Sequence, residues 1–356
     1  MPVSQPTIGN AQFKLLEKLC NACAVSGDEG EVRKIALDEV KPFADEVKVD
    51  AMGNVLVTKY GSGKNLPRVM LDAHMDEIGF MLVSEDGDGL YRFQTVGSID
   101  PRNLAGKSVL VGKEHLPGVI GMTPIHLADL GELRRKPSIN SLRIDIGPNS
   151  KAKPGDWATF ATKFKRVGPS IMAKAIDDRI GVATLIELVK HAPSNIDLLA
   201  AFTVQEEVGL RGAQVAAYAF DPDLAIAIDS TPARDLRMHD GSESHLYNTK
   251  LGHGPAIYVY NSSTIDDPRL VRFLKETAES ANIPYQIRQP GGGGTDAGAI
   301  QRTRTGVPVV SISVPGRYAH TPIGLCRVDD WKNTFSLIHT ALERITPKLL
   351  AGNLFL

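Results

Sequence analysis

Four short stretches of the chain are apolar at nearly every position rather than at alternate ones: residues 69–73 (VMLDA), 198–204 (LLAAFTV), 224–228 (LAIAI) and 308–314 (PVVSISV). A strand with one wet face alternates, whereas a strand that is apolar throughout needs cover on both faces. The intervening segments supply that cover. Residues 178–191, 210–220 and 329–350 carry helical periodicity, and Asp267-Pro268 opens a helix reaching about residue 282, with proline at its first position. Residues 10–24 repeat apolar side chains at helical spacing, and Ser26 with Glu29 reads as a capping box for a second helix ending near Phe43. The fold class is therefore α/β, a mixed sheet flanked by helices.

Residues 77–166 have another texture. Short β runs (IGFMLVSE, LYRFQTV, KSVLVG, GVIGM, LRIDI, DWATF) are separated by the turn signals EDGDG, GPNS and KPGD. This predicts a small β-rich domain at 77–166, inserted into a larger one made of residues 1–76 and 167–356.

Composition narrows the function. The 40 basic and 41 acidic residues give no basic excess to draw nucleic acid or an anionic membrane. No apolar run approaches the ~20 residues of a membrane span, and the N-terminus lacks the pattern of a secretory leader. Only three cysteines occur, Cys20, Cys23 and Cys326, which suits a reducing, cytoplasmic setting better than a disulfide framework. Cys20 and Cys23 continue the apolar face of Phe13, Leu16 and Leu19 and are read as core packing.

The apolar strands lead to ligating residues: the first to His74, the second to Glu206 and Glu207, the third to Asp229, the fourth through a loop to His320. In open α/β sheets ligands bind beyond the carboxyl ends of strands. Asp177, opening the helix after the insertion, is a fifth candidate. Two imidazoles and three carboxylates suit zinc, cobalt or manganese better than calcium, and exceed the needs of one four-coordinate ion. Two ions sharing a carboxylate, ~3.5–4 Å apart, would use them all. Glu206 and Glu207 are neighbours, so in extended chain their side chains diverge. One can be a ligand and the other a general base; spacing leaves open which is which. Asp76, two residues beyond His74, is read as the partner that orients its imidazole.

Read together, Asp72–Gly79 (DAHMDEIG), Lys174–Gly181 (KAIDDRIG), Val204–Ala213 (VQEEVGLRGA), Ala227–Asp229, Gly294–Ala297 and Arg317–Pro322 (RYAHTP) resemble the tetrahedral aminopeptidase and glutamyl aminopeptidase family of di-metal peptidases. The resemblance runs along nearly the whole chain. It implies a di-zinc exopeptidase-like fold and two divalent ions per subunit, zinc or cobalt. Asp177 would bridge them, His74 and Asp229 would complete one site, and Glu207 and His320 the other. Glu206 would be the base that activates water and protonates the leaving amine. The insertion would resemble a PDZ-like module that assembles subunits into a homo-oligomer, a dodecamer or a dimer-based particle, acting on short peptides. Residues 97–101 (GSIDP), Lys163, Lys165, Arg166 and His253 depart from the family's usual residues, away from the ligands.

Two other functions fit less of the sequence. A di-metal deacylase or deacetylase would keep the ligands and change the bond cleaved. A non-catalytic assembly protein would be expected to lose the base or a ligand, and all six residues are present. The glycine-rich segment 291–297 matches a dinucleotide fingerprint only loosely, and the next strand ends on Pro315-Gly316-Arg317 rather than on an acid. That segment is read instead as a loop at the site's rim, with Thr295 or Asp296 capping a short helix; for Asp296 two readings stay open, a place near the metals or service to the backbone only.

Overall fold

The computed structural model describes residues 6–246, 248–289 and 293–351; Gly291 and Gly292 of the glycine-rich segment lie outside the described residues. Four parallel strands form the middle of an eleven-stranded mixed sheet, in the order Asp197–Thr203, Arg68–His74, Leu224–Pro232 and Val309–Arg317. Antiparallel strands extend it on both sides. Val55–Lys59 and Glu46–Val49 lie beyond the first, and Gly324–Arg327, Ser170–Ala173 and Lys165–Val167 beyond the last.

The continuous apolar runs are explained by two cores. Along one strand, Val69, Leu71 and Ala73 join a core with residues of the helices Asn10–Asn21, Gly30–Val40, Ile176–Lys190 and Val328–Arg344. Met70 points to the other face, where Leu199, Ala225 and Val309 meet Ala213, Ala216 and Phe220 of the helix Arg211–Phe220. Successive strand residues thus enter opposite cores, and no position is left for water.

After His74 the chain leaves this sheet and builds a closed six-stranded barrel from Gly79–Glu85, Leu90–Val96, Ser108–Val111, Leu116–Gly121, Arg143–Asp145 and Trp157–Phe160. Closure leaves no free sheet edge. The barrel's interior centres on Phe80, whose ring meets Phe93 and Phe160 edge to face at 5.1 and 5.2 Å. The chain then rejoins the large sheet at Lys165–Val167.

Several local expectations differ from what is observed. The second helix, Gly30–Val40, has Glu29 at its N-cap and no side-chain cap. That N-cap lies three residues beyond Ser26, whose Oγ donates to the buried Asp76 carboxylate at 2.6 Å. The last helix stops at Arg344, short of residue 350. The strand Leu224–Pro232 continues past Ile228, because Asp229 still pairs with Ser313 of its parallel neighbour. Asp229 therefore sits within the strand rather than beyond it. Among the described residues no helix is long and apolar enough to cross a membrane.

Candidate metal centre

The parallel register brings the strand ends level. Thr203 pairs with His74, and Ala227 with Asp72, so Asp229 stands two residues farther along, beside His74. Asp177 reaches the same rim from the start of the helix Ile176–Lys190. It has left helical geometry (φ −79°, ψ 107°), and its neighbour Asp178 takes over the helix start, accepting from the Gly181 N–H at 3.0 Å. One aspartate of the pair serves the backbone and the other is turned toward the imidazoles.

Asp177 lies between the two histidines. Its Oδ1 is 3.2 Å from His74 Nε2, and its Oδ2 is 3.7 Å from His320 Nε2. Two donor triads result, His74–Asp177–Asp229 and Asp177–Glu207–His320, with the ligand atoms of each within 4.8 Å of one another. His320 Nε2 is also 3.4 Å from Glu207 Oε2. Its other nitrogen, Nδ1, is 2.9 Å from the Ser98 carbonyl of the insertion, so the stretch 97–101, expected to lie away from the ligands, touches one of them. A carbonyl can only accept, so Nδ1 carries the proton and Nε2 is left to face the carboxylates.

Asp76 organises the opposite wall. Its Oδ1 faces His74 Nδ1 at 3.4 Å, and its carboxylate accepts from the backbone N–H groups of Glu206 and Glu207 at 3.0 and 3.2 Å. The two glutamates follow Gln205, a non-glycine residue at φ 58°, so they occupy a tight turn rather than extended chain. Glu207 turns its carboxylate toward His320, while Glu206 feels the charges of His74 and Asp296.

The electrostatics favour dications. Burial pushes the Asp229 carboxyl well above its ordinary range, and the nearby Asp177 and Asp178 push it further. Burial raises Glu207 to about 7, with Asp177 opposing its ionisation while His320 assists it. Burial also holds Glu206 well above its usual range, helped by Asp296 and Glu207 and opposed by His74. So many buried carboxylates cannot all ionise on their own. Divalent cations among them reverse the balance, and the mixed imidazole and carboxylate donors fit zinc, cobalt or manganese. A crevice opens on this rim, lined by Asp177, Glu207 and His320 together with Ile78, Ile176 and Tyr318.

Some of the surroundings were not legible in the sequence. Asp296 does not serve the backbone: its Oδ2 accepts from Thr203 Oγ1 at 2.7 Å, and Thr295 Oγ1 meets Ser311 Oγ at 2.9 Å, so the helix Ala297–Ile300 has no side-chain cap. Buried hydroxyl partners outcompete a local cap at this position. Behind the site, Glu77 accepts from Lys174 Nζ at 2.7 and 2.8 Å, Arg179 Nη2 at 3.0 Å, Ala24 N–H at 3.0 Å and Thr159 Oγ1 at 2.9 Å. Arg179 donates in turn to the carbonyls of Met75 and Asp76. This charged cluster is sealed from water and holds the His74–Asp76 segment against the helix that carries Asp177.

The profile of the M42 glutamyl aminopeptidase family matches residues 53–337. The chain belongs to that family. It is accordingly a hydrolase, a metal-dependent aminopeptidase. A lysyl aminopeptidase of Pyrococcus furiosus is 33% identical over 349 residues, covering 94% of this chain and 98% of the relative. A TET aminopeptidase from a marine sediment Thaumarchaeota archaeon superposes with a TM-score of 0.90 at 33% identity, covering 96% of this chain and 99% of the other. The TET1 peptidase of Pyrococcus horikoshii, described as assembling into a tetrahedron or a large octahedral shell, gives 0.82 at 35% identity, covering 94% and 100%. The M42 chain thus shares its mixed α/β architecture with TET peptidases along almost its full length.

Proposed function

We propose that this M42 enzyme removes N-terminal residues from short peptides at a centre of two divalent cations, one held by His74, Asp177 and Asp229 and the other by Asp177, Glu207 and His320. The observation that carries this reading is the position of Asp177, with one carboxylate oxygen toward each histidine. When bound, the cations supply Lewis acidity toward the scissile carbonyl and lower the pKa of water at the site. The protein's own side chains do the rest. Glu206 takes the proton of the attacking water and returns it to the departing amine, which requires its carboxyl to be ionised before attack and protonated after it. Burial, which disfavours its charged form, makes it ready to hold that proton. Asp76 fixes the imidazole of His74 and, through two N–H bonds, the turn that presents Glu206 and Glu207.

In the same reading, residues 77–166 form a PDZ-like insertion in a domain made of residues 1–76 and 167–356, with Lys165–Val167 already paired to the large sheet. The insertion displays Ile125, Leu127 and Leu130, each at least 70% exposed, on its outer surface. Apolar side chains so placed suit a subunit contact, and the shells formed by TET relatives make a dodecamer the expected particle. Three unpaired cysteines accord with a cytoplasmic setting. The test is hydrolysis of free and N-acetylated di- and tripeptides after chelation and then after adding zinc or cobalt. Metal-restored cleavage of the free-amine set alone is expected. Cleavage of the acetylated set alone would make the enzyme a deacylase.

A further inference from the structure

Cys23 was read above as core packing, and the fold separates it from Cys20. Cys20 is fully buried in the helix Asn10–Asn21, whereas Cys23 lies just past the helix end and is half-buried. Its thiol faces two ligating side chains from other parts of the chain. Glu31 comes from the first turn of the helix Gly30–Val40. His115 comes from the turn joining the barrel strands Ser108–Val111 and Leu116–Gly121. Sulfur, carboxylate oxygen and imidazole nitrogen all lie within 4.8 Å of one another. Glu31 is held in place by the Cys23 N–H, which donates to Oε2 at 2.9 Å, while Oε1 meets His115 Nε2 at 2.6 Å.

Around a four-coordinate zinc ion, bond lengths of ~2.0–2.3 Å to nitrogen, oxygen and sulfur put neighbouring donors ~3.3–3.7 Å apart. The three donors stand within 4.8 Å of one another, and the crevice they line is open on one side for a fourth ligand. Of the cations nearby, Lys113 is paired with the Asp28 carboxylate and Lys174 with Glu77, so both charges are neutralised locally.

We infer that Cys23, Glu31 and His115 bind one borderline-soft divalent cation, zinc by preference, which pins the barrel to the helical layer of the large sheet and shares no residue with the catalytic triads. Without a cation, burial raises the Cys23 thiol to about 11. Uptake therefore exchanges the thiol proton for the metal, and the proton passes to solvent.

The experiment reconstitutes the purified metal-free enzyme with cobalt(II). Neither catalytic triad contains sulfur, so a near-ultraviolet sulfur-to-cobalt charge-transfer band reports this site alone. The wild type is expected to show that band and to hold about one more equivalent of metal per chain than Cys23→Ser or His115→Ala. Both variants should keep peptidase activity, because neither residue lies at the catalytic centre. No band in the wild type, or equal metal content in the wild type and a folded variant, would overturn the assignment. That result would leave Glu31 and His115 as a simple ion pair beside a thiol. If one variant fails to fold, the other carries the comparison.

Discussion

Replacing Glu77 with glutamine keeps its shape and removes its charge from a pocket where Glu77, Lys174 and Arg179 are each no more than 2% exposed. In the wild type one carboxylate answers two buried cations. Glutamine can still accept from Ala24 N–H or Thr159 Oγ1, but it leaves Lys174 and Arg179 without an anion. Breaking a buried ion pair from one side costs ~3–5 kcal/mol. At roughly 2 °C per kcal/mol for a chain of this length, the melting temperature should fall by roughly 6–10 °C. The assay is calorimetry on the metal-loaded enzyme. Lys174→Met added to Glu77→Gln should recover part of the loss, because the unpaired ammonium is then gone. The pH dependence follows from the sign of the shift. Burial would raise the Glu77 carboxyl, but Lys174 and Arg179 outweigh burial and hold it below its ordinary value. Such a group contributes fully above its unfolded pKa, and its contribution is lost as pH falls through the folded one. The variant should therefore show a shallower loss of stability in acid than the wild type. A drop under about 2 °C, with an unchanged acid slope, would refute the view that this cluster fastens the His74–Asp76 segment to the Asp177 helix.

Three further outcomes test the proposed function. Glu206→Gln should bind metal and assemble normally while turnover falls ~10²–10⁴-fold in a peptide-hydrolysis assay; near-normal turnover would remove Glu206 from the role of base. Asp177→Ala should lose metal from both sites by elemental analysis, and retention of full occupancy would end the bridging assignment. Leu127→Glu together with Leu130→Glu should shift the particle toward smaller species in native mass spectrometry without altering metal content; an unchanged particle would place the subunit contact elsewhere.

What could be read from the sequence follows from how local each determinant is. Runs such as LLAAFTV declare their two-sided burial residue by residue, so the parallel centre of the sheet was legible. The strands' exits then named His74, Glu206, Glu207 and His320 as residues of one rim. Asp177 and Asp178 were harder, because which carboxylate serves the helix depends on a departure from helical backbone that composition does not encode. Ser26, Thr295 and Asp296 misled for a shared reason. Each has the chemistry of a helix cap, and each found a buried tertiary partner that no short-range pattern reveals. The Glu77, Lys174 and Arg179 cluster was invisible because Glu77 lies 97 and 102 positions from its two cations in the chain. His115 escaped notice for the same reason, being 84 residues from Glu31.

The hydrogen bond from His320 to the Ser98 carbonyl ties the barrel to the reacting end of the molecule. A subunit interface formed through the barrel would therefore pull on the same lever that aims an imidazole. Any shift of the barrel that loosens this bond frees the ring to rotate and exchange its tautomer. Enzyme particles of different size, even when built from identical chains, need not work at the same rate. Quaternary structure would then act as a setting on catalysis.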